Sequence, residues 1–203
     1  MRQRTAAVEK IDARKRFGSF KKEEPKAIRK TKVDSSLKER VLEEWKQFGE
    51  WLFIRGGEVK LKDKYTKEEI EKISLMLGDL PPHDSEDYSE DYSDEYFWDI
   101  VAGDFISALI KYSPDQDFVL RLAEKVAYVG IWNTKNITVI GDVGDSVGAD
   151  MESGKIIVKG NAGPQVGEGM KGGEIHIEGE IEGIGSTRGG RIYHKGKLVA
   201  GDD

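Results

Sequence analysis

The stretch I-T-V-I-G-D-V-G-D-S-V-G-A-D-M-E-S-G-K, from Ile137 to Lys155, decides the fold, because the chain repeats it. I-I-V-K-G-N-A-G-P-Q-V-G-E-G-M-K-G-G-E follows from Ile156 to Glu174, and I-H-I-E-G-E-I-E-G-I-G-S-T-R-G-G-R from Ile175 to Arg191. A fourth copy opens with I-Y-H-K-G-K at Ile192. Ile137, Ile156 and Ile175 stand 19 apart and the step to Ile192 is 17, so the third copy is shorter by two residues. Gly141, Gly160, Gly179 and Gly196 recur at one place in the copies, and Gly154, Gly173 and Gly190 at another.

Self-similarity at a fixed period of this size is the signature of a solenoid, in which a coil buries its face only against its neighbours. Each copy opens with a short alternating strand: Ile137/Val139, Ile156/Val158, Ile175/Ile177, and Ile192 with His194. Alternation sends one row of side chains inward and the other outward. Val147/Met151 and Val166/Met170 form a second apolar set that fills the interior between corners. The glycines belong at bends, where a positive φ or a close backbone approach is needed. The expectation is a small right-handed parallel β-helix of three to four coils.

The runs G-D-V-G-D-S-V-G, G-N-A-G-P-Q-V-G-E-G-M-K-G-G-E-I and G-G-R-I resemble the GXGXG repeat domain. That domain closes the large subunit of glutamate synthase, and a similar one forms one of the subunits of formylmethanofuran dehydrogenase. The resemblance covers residues 137–200 and implies a right-handed β-helix with a mainly structural role. It carries no catalytic residue across. The chain departs from the family in its fewer coils, its shortened third copy and a preceding part that resembles neither protein.

Outward from the repeat, composition narrows the function classes. The chain has 203 residues, no cysteine and a net charge of −6. Disulfides, thiolate metal sites, Fe–S clusters and cysteine nucleophiles are therefore excluded. There is no membrane-spanning run and no signal-peptide core, which points to the cytoplasm. Abundant Lys, Glu and Ile suit a thermophile. The charge is unevenly spread: residues 1–36 hold 12 Lys/Arg against 5 Asp/Glu, a net of +7, and the remainder is net −13. An α+β chain in three parts follows: a basic extended arm (1–35), a mostly helical domain with a hairpin and an acidic Tyr-rich loop (36–134), and the β-helix (135–203).

The arm lacks a sustained apolar period and should not fold alone. Its cluster Arg14-Lys15-Arg16-Phe17, followed by Phe20-Lys21-Lys22 and then Arg29-Lys30, interleaves cations with aromatics, a combination suited to phosphate contact and stacking. A solvated tail, or an arm wrapped on the chain's own acidic body, are the alternatives. In the second part, Ser36 to Glu39 reads as a capping box opening a helix striped by Leu37, Val41, Leu42, Trp45 and Phe48 and ended by Gly49. A hairpin turning at Gly56-Gly57 follows. A second capping box, Thr66 to Glu69, opens a helix carrying Ile70, Ile73, Leu75 and Met76 and stopped by Gly78. The run from Ser85 to Tyr96 reads as an exposed acidic loop or a docking segment for a basic surface, presenting Tyr88, Tyr92 and Tyr96. A helix from Phe97 to Tyr112 precedes another, capped by Ser113 to Gln116, striped by Phe118, Leu122 and Val126 and ended by Gly130. The helices should cover the first coil's sheet edge, leaving an edge open near residues 192–199 for a homodimer or partner contact.

Catalytic chemistry finds little support. Gly167 to Gly172 matches G-x-G-x-x-G, but a dinucleotide fingerprint needs a strand before it and a helix after it, and the repeat explains every glycine. His176 and His194 fall on opposite strand faces, which argues against a metal pair. His83 stands apart. Asp142, Asp145 and Asp150 suggest turns rather than calcium, whose β-helix repeat has another period. No cofactor is expected. The reading is a non-catalytic scaffold whose arm anchors it to a large RNA–protein assembly such as a ribosomal particle. The alternative is a structural subunit of a glutamate synthase-like or formylmethanofuran dehydrogenase-like complex.

Overall fold

The computed structural model describes residues 33–53, 61–81 and 94–201, with backbone only for 49–53 and 94–97. Among them are three α-helices and one six-stranded, mostly parallel sheet wound as a β-solenoid of about four turns. The strands are β1 (Asp117–Arg121), β2 (Asn136–Ile140), β3 (Lys155–Val158), β4 (Glu174–Ile177), β5 (Arg191–His194) and β6 (Lys197–Ala200). β1 to β5 pair in parallel in chain order, and β6 turns back antiparallel on β5.

The register is the sequence repeat: Ile137 lies beside Ile156, Ile156 beside Ile175, and Ile175 beside Ile192. These residues and the next inward row, Val139, Val158 and Ile177, are exposed by 1% at most. Val147, Met151, Val166 and Met170 are buried with them, as their spacing predicts. Two different demands select the glycines. Gly173, at φ +85°, occupies left-handed backbone. Gly160 does not; a Cβ there would sit 2.3 Å from the Gly141 carbonyl oxygen of the coil before.

The solenoid starts one coil ahead of the glycine repeat. The segment between Asp115 and Gly130, expected to be a helix, instead forms β1 and the rest of a first coil. Phe118 pairs with Ile137 and Leu120 with Val139, again 19 apart. Phe118, Leu122 and Val126 are four apart, a spacing in phase with a strand's period of two as well as with a helix. Leu120 separates the two: it is buried on the same inward row as Phe118 and Leu122.

Helix α1 (Ser35–Phe53) buries Leu37, Val41, Trp45 and Phe48, the expected stripe, with Leu42 partly buried beside them. Its cap is Asp34 rather than Ser36: Ser36 N donates to Asp34 Oδ1 (3.4 Å). Nor does Gly49 end it, since one glycine costs a helix only about 1 kcal/mol. Trp51 to Phe53 are therefore helical instead of opening a hairpin, and Gly56-Gly57 lies outside the described residues. Helix α2 (Lys67–Ser74) has the expected capping box: Glu69 N donates to Thr66 Oγ1 (3.3 Å) and Thr66 N to Glu69 Oε2 (2.9 Å). Gly78 sits in a following 3-10 turn, Leu77–Asp79. Helix α3 (Asp94–Tyr112) starts earlier than expected and takes in Tyr96, so the last residues of the acidic run are helical rather than loop. No helix among the described residues is long and apolar enough to cross a membrane.

The helices close the first coil. Ser74 Oγ accepts from Arg121 N (2.9 Å), and Glu71 Oε1 accepts from Arg121 Nε (2.8 Å), fastening α2 to β1. Helix α3 lies so close that a Cβ on Gly103 would fall 1.6 Å from the Ala127 carbonyl oxygen. Beside it, Ser107 Oγ accepts from Gly130 N at 2.8 Å. Lys135, only 8% exposed, donates through Nζ to the carbonyls of Ser113 and Asp115, holding the end of α3 to the solenoid. Trp45 and Phe48 each meet Phe105 edge-on, and one apolar core runs from α1 into the coils. At the far end, the edge expected to be open is covered by the chain's own β6, which becomes the outer strand.

Candidate functional site

The cationic and aromatic residues singled out in the arm, Arg14, Lys15, Arg16, Phe17, Phe20, Lys21, Lys22, Arg29 and Lys30, lie outside the described residues, as do Tyr88 and Tyr92. Tyr96 is in the first turn of α3. The surface built most fully from described residues is the outward face of the solenoid sheet.

Parallel register turns every outward position into a column. The central column runs Val119, Thr138, Ile157, His176, Tyr193, Leu198. It is mostly apolar and partly exposed; Val119 reaches 37%. The rings of His176 and Tyr193 stack at 4.5 Å, 12° from parallel. Neighbouring parallel rungs lie about 4.8 Å apart, so consecutive side chains of a column are close neighbours.

Charged residues flank this stripe on both sides. On one, Asp117 accepts from Asn136 (2.8 Å), and Glu174 is gripped by Lys155 (2.8 Å), by Arg191 (2.8 Å) and by His176 Nε2 (3.1 Å). The hydrogen bonds from Lys155 and His176 hold the Glu174 carboxyl down to about 2. On the other, Lys159 meets Glu178 (2.6 Å), and Lys195 meets Glu180. Apart from Asp117, which meets the neutral Asn136 amide, each of these carboxylates meets a cation of a neighbouring rung, so the charges along the stripe nearly cancel.

Beside Glu174 the last two coils leave a groove of about 570 Å³ between residues 172–174, 187–191 and Gly201. His194 lies on the register row opposite to His176, as expected, with its Nε2 2.9 Å from the Gly179 carbonyl. Gly167 and Gly169 are left-handed corner residues on the way from β3 to β4, so the run from Gly167 to Gly172 joins two strands of the repeat. Asp142 also serves the coil: its Oδ1 accepts from Asn161 N, and Asn161 Oδ1 from Glu180 N, a side-chain ladder between successive turns. Among the described residues no group of three His, Asp or Glu is arranged to hold a metal ion.

Sequence reasoning overlooked this face, although its signal was present. Thr138, Ile157 and His176 stand 19 apart, as do Asn136, Lys155 and Glu174, and the step of 17 then reaches Tyr193 and Arg191. Reading the outward positions in register, as was done for the inward ones, would have found both the stripe and the opposed charges. Comparison with known proteins gives no match: no family model fits the chain, and no curated protein or solved structure matches it.

Proposed function

We propose that the protein is a non-catalytic interaction scaffold. Its solenoid offers a rigid sheet face to a protein partner, and its basic arm anchors it to a large nucleoprotein assembly such as a ribosomal particle. The observation that carries this reading is the outward column from Val119 to Leu198, an apolar stripe bordered by paired charges. That is the make-up of a protein interface, with an apolar centre and a polar rim. The arm adds its net +7 over residues 1–36, whereas the rest of the chain, at net −13, repels polyanions. Contact with RNA is therefore local to the arm. A homodimer contact belongs at the outer edge of β6, where main-chain groups face away from β5.

Co-sedimentation with ribosomal particles at two salt concentrations tests the anchor. The parent protein should pellet at low salt and be released as salt rises, because cations on the arm displace counterions from phosphate. Changing Arg14, Lys15 and Arg16 together to Ala should weaken pelleting and flatten the salt slope without moving the melting temperature. If the parent never pellets, or the triple variant pellets equally well, the nucleoprotein anchor is wrong. Ile157→Lys, in the middle of the stripe, should release the protein partner but spare RNA.

A second reading has its own support in the Gly-rich repeat and its stacked coils: a structural subunit of a glutamate synthase-like or formylmethanofuran dehydrogenase-like complex. Purification from native extract with nuclease separates the two. A stoichiometric complex with enzyme subunits that survives nuclease favours the second.

A further inference from the structure

We propose that the groove at the C-terminal end of the solenoid binds a phosphate group, either free or carried on a small molecule. At about 570 Å³ it has the size of a small-molecule site. Its floor is bare main chain for a structural reason. A Cβ at Gly172 would lie 2.5 Å from the Glu152 carbonyl oxygen, and one at Gly189 2.5 Å from that of Lys171, while Gly173, Gly190 and Gly201 have positive φ. Side chains are disfavoured at all five positions, so main chain lines the groove there. The backbone N–H groups of Gly173, Thr187 and Gly190 have no backbone acceptor among the described residues.

The walls supply charge. Glu174 is already engaged by Lys155, Arg191 and His176. Arg188 is exposed and has no ion-pair or hydrogen-bond partner for its guanidinium among the described residues. Arg188 and Arg191 thus set two cations against one carboxylate in the lining of the groove, on a chain whose net charge is −6. Two guanidiniums, the Thr187 hydroxyl and free main-chain N–H groups together offer more donors than a carboxylate's two oxygens can meet. A tetrahedral phosphate, with three or more acceptor oxygens, suits the set, and arginine forks are matched to it.

The test is a ¹H–¹⁵N NMR titration of the full chain at constant ionic strength, with inorganic phosphate in one series and AMP in another. Site-resolved shifts separate the groove from the basic arm. Saturable shifts are expected at the amides of Gly173, Thr187, Arg188 and Gly190. Arg188→Ala should weaken binding by roughly tenfold or more, the loss of one charge-assisted contact, and Thr187→Val by less, neither moving the melting temperature. Tighter binding of AMP assigns the site to an organophosphate, and tighter binding of phosphate to the free anion. Absence of saturable shifts with both probes overturns the proposal, as does unchanged affinity in Arg188→Ala.

Discussion

The first coil of this solenoid pairs in the same parallel fashion as the later ones, but its corner residues differ. Where the second, third and fourth coils place Gly141, Gly160 and Gly179, the first has Leu122; where they place Gly154, Gly173 and Gly190, it has Lys135. The contacts give the reason. A Cβ on Gly141 would strike the Leu122 carbonyl, one on Gly160 the Gly141 carbonyl, and one on Gly179 the Gly160 carbonyl, each at 2.3–2.5 Å. Every such glycine makes room for the coil before it. The first coil has none before it, so Leu122 and Lys135 keep side chains, which serve the core and the end of α3. At the other end the closing hairpin still obeys the rule: a Cβ on Gly201 would meet the Gly190 carbonyl oxygen at 2.1 Å.

This contrast can be broken most severely at α3. Gly103→Val puts atoms where the Ala127 carbonyl now lies, so α3 must lift from the first coil. A loss of about 3–5 kcal/mol is expected from urea unfolding; a loss under about 1 kcal/mol would mean that the helix does not rest there.

Asp104, next to Gly103, sharpens the comparison through pH. Burial alone raises its carboxyl from 3.8 to about 7, and its Oδ1 has no hydrogen-bond partner among the described residues. Between those two values the folded protein holds a proton that the unfolded chain releases. This residue's contribution to stability is therefore fully present below about pH 4 and is lost as pH rises through about 7. Asp104→Asn should stabilise the protein at pH 8 by roughly 2–4 kcal/mol and flatten the decline between pH 4 and 8. An unchanged pH profile in denaturant melts would refute the buried-acid account.

Within the repeat, Gly160→Val should cost about 2–3 kcal/mol, from steric collision rather than from backbone strain. Gly160→Ala should already show most of that loss, since the first added carbon makes the collision. If Ala were tolerated and only Val were not, the close approach of the two coils would be wrong. Gly196 provides the smallest effect. It has φ +76° but nothing within 4 Å of an added Cβ, so Gly196→Ala should cost only about 1 kcal/mol. Thermal melts of the two alanine variants side by side measure the gap between packing and conformation.

Much of the architecture is legible in the sequence, and the misses have physical causes. Period, inward rows, corners and the Thr66 cap all rest on interactions between residues close in sequence or one fixed step apart. The first coil was misread because Phe118, Leu122 and Val126 satisfy two periods at once. The Gly49 stop failed because a weak local preference yields to a buried stripe. The candidate surface was missed because only inward positions were read in register, although Lys155, Glu174 and Arg191 lie on the same steps.

By itself, then, the sequence determined the coil: its length, its two buried rows, and the glycines that each later turn needs to accept the carbonyls of the turn before. Only the tertiary structure decided where the stack begins and how it ends. The first coil signals itself weakly because its neighbour is not another copy but helix α3, met through Gly103, Ser107 and Lys135 at positions no period marks. The far end was equally hidden, since β6 reverses direction to pair with β5, and a strand's partner is set by the space left beside it rather than by its own four residues.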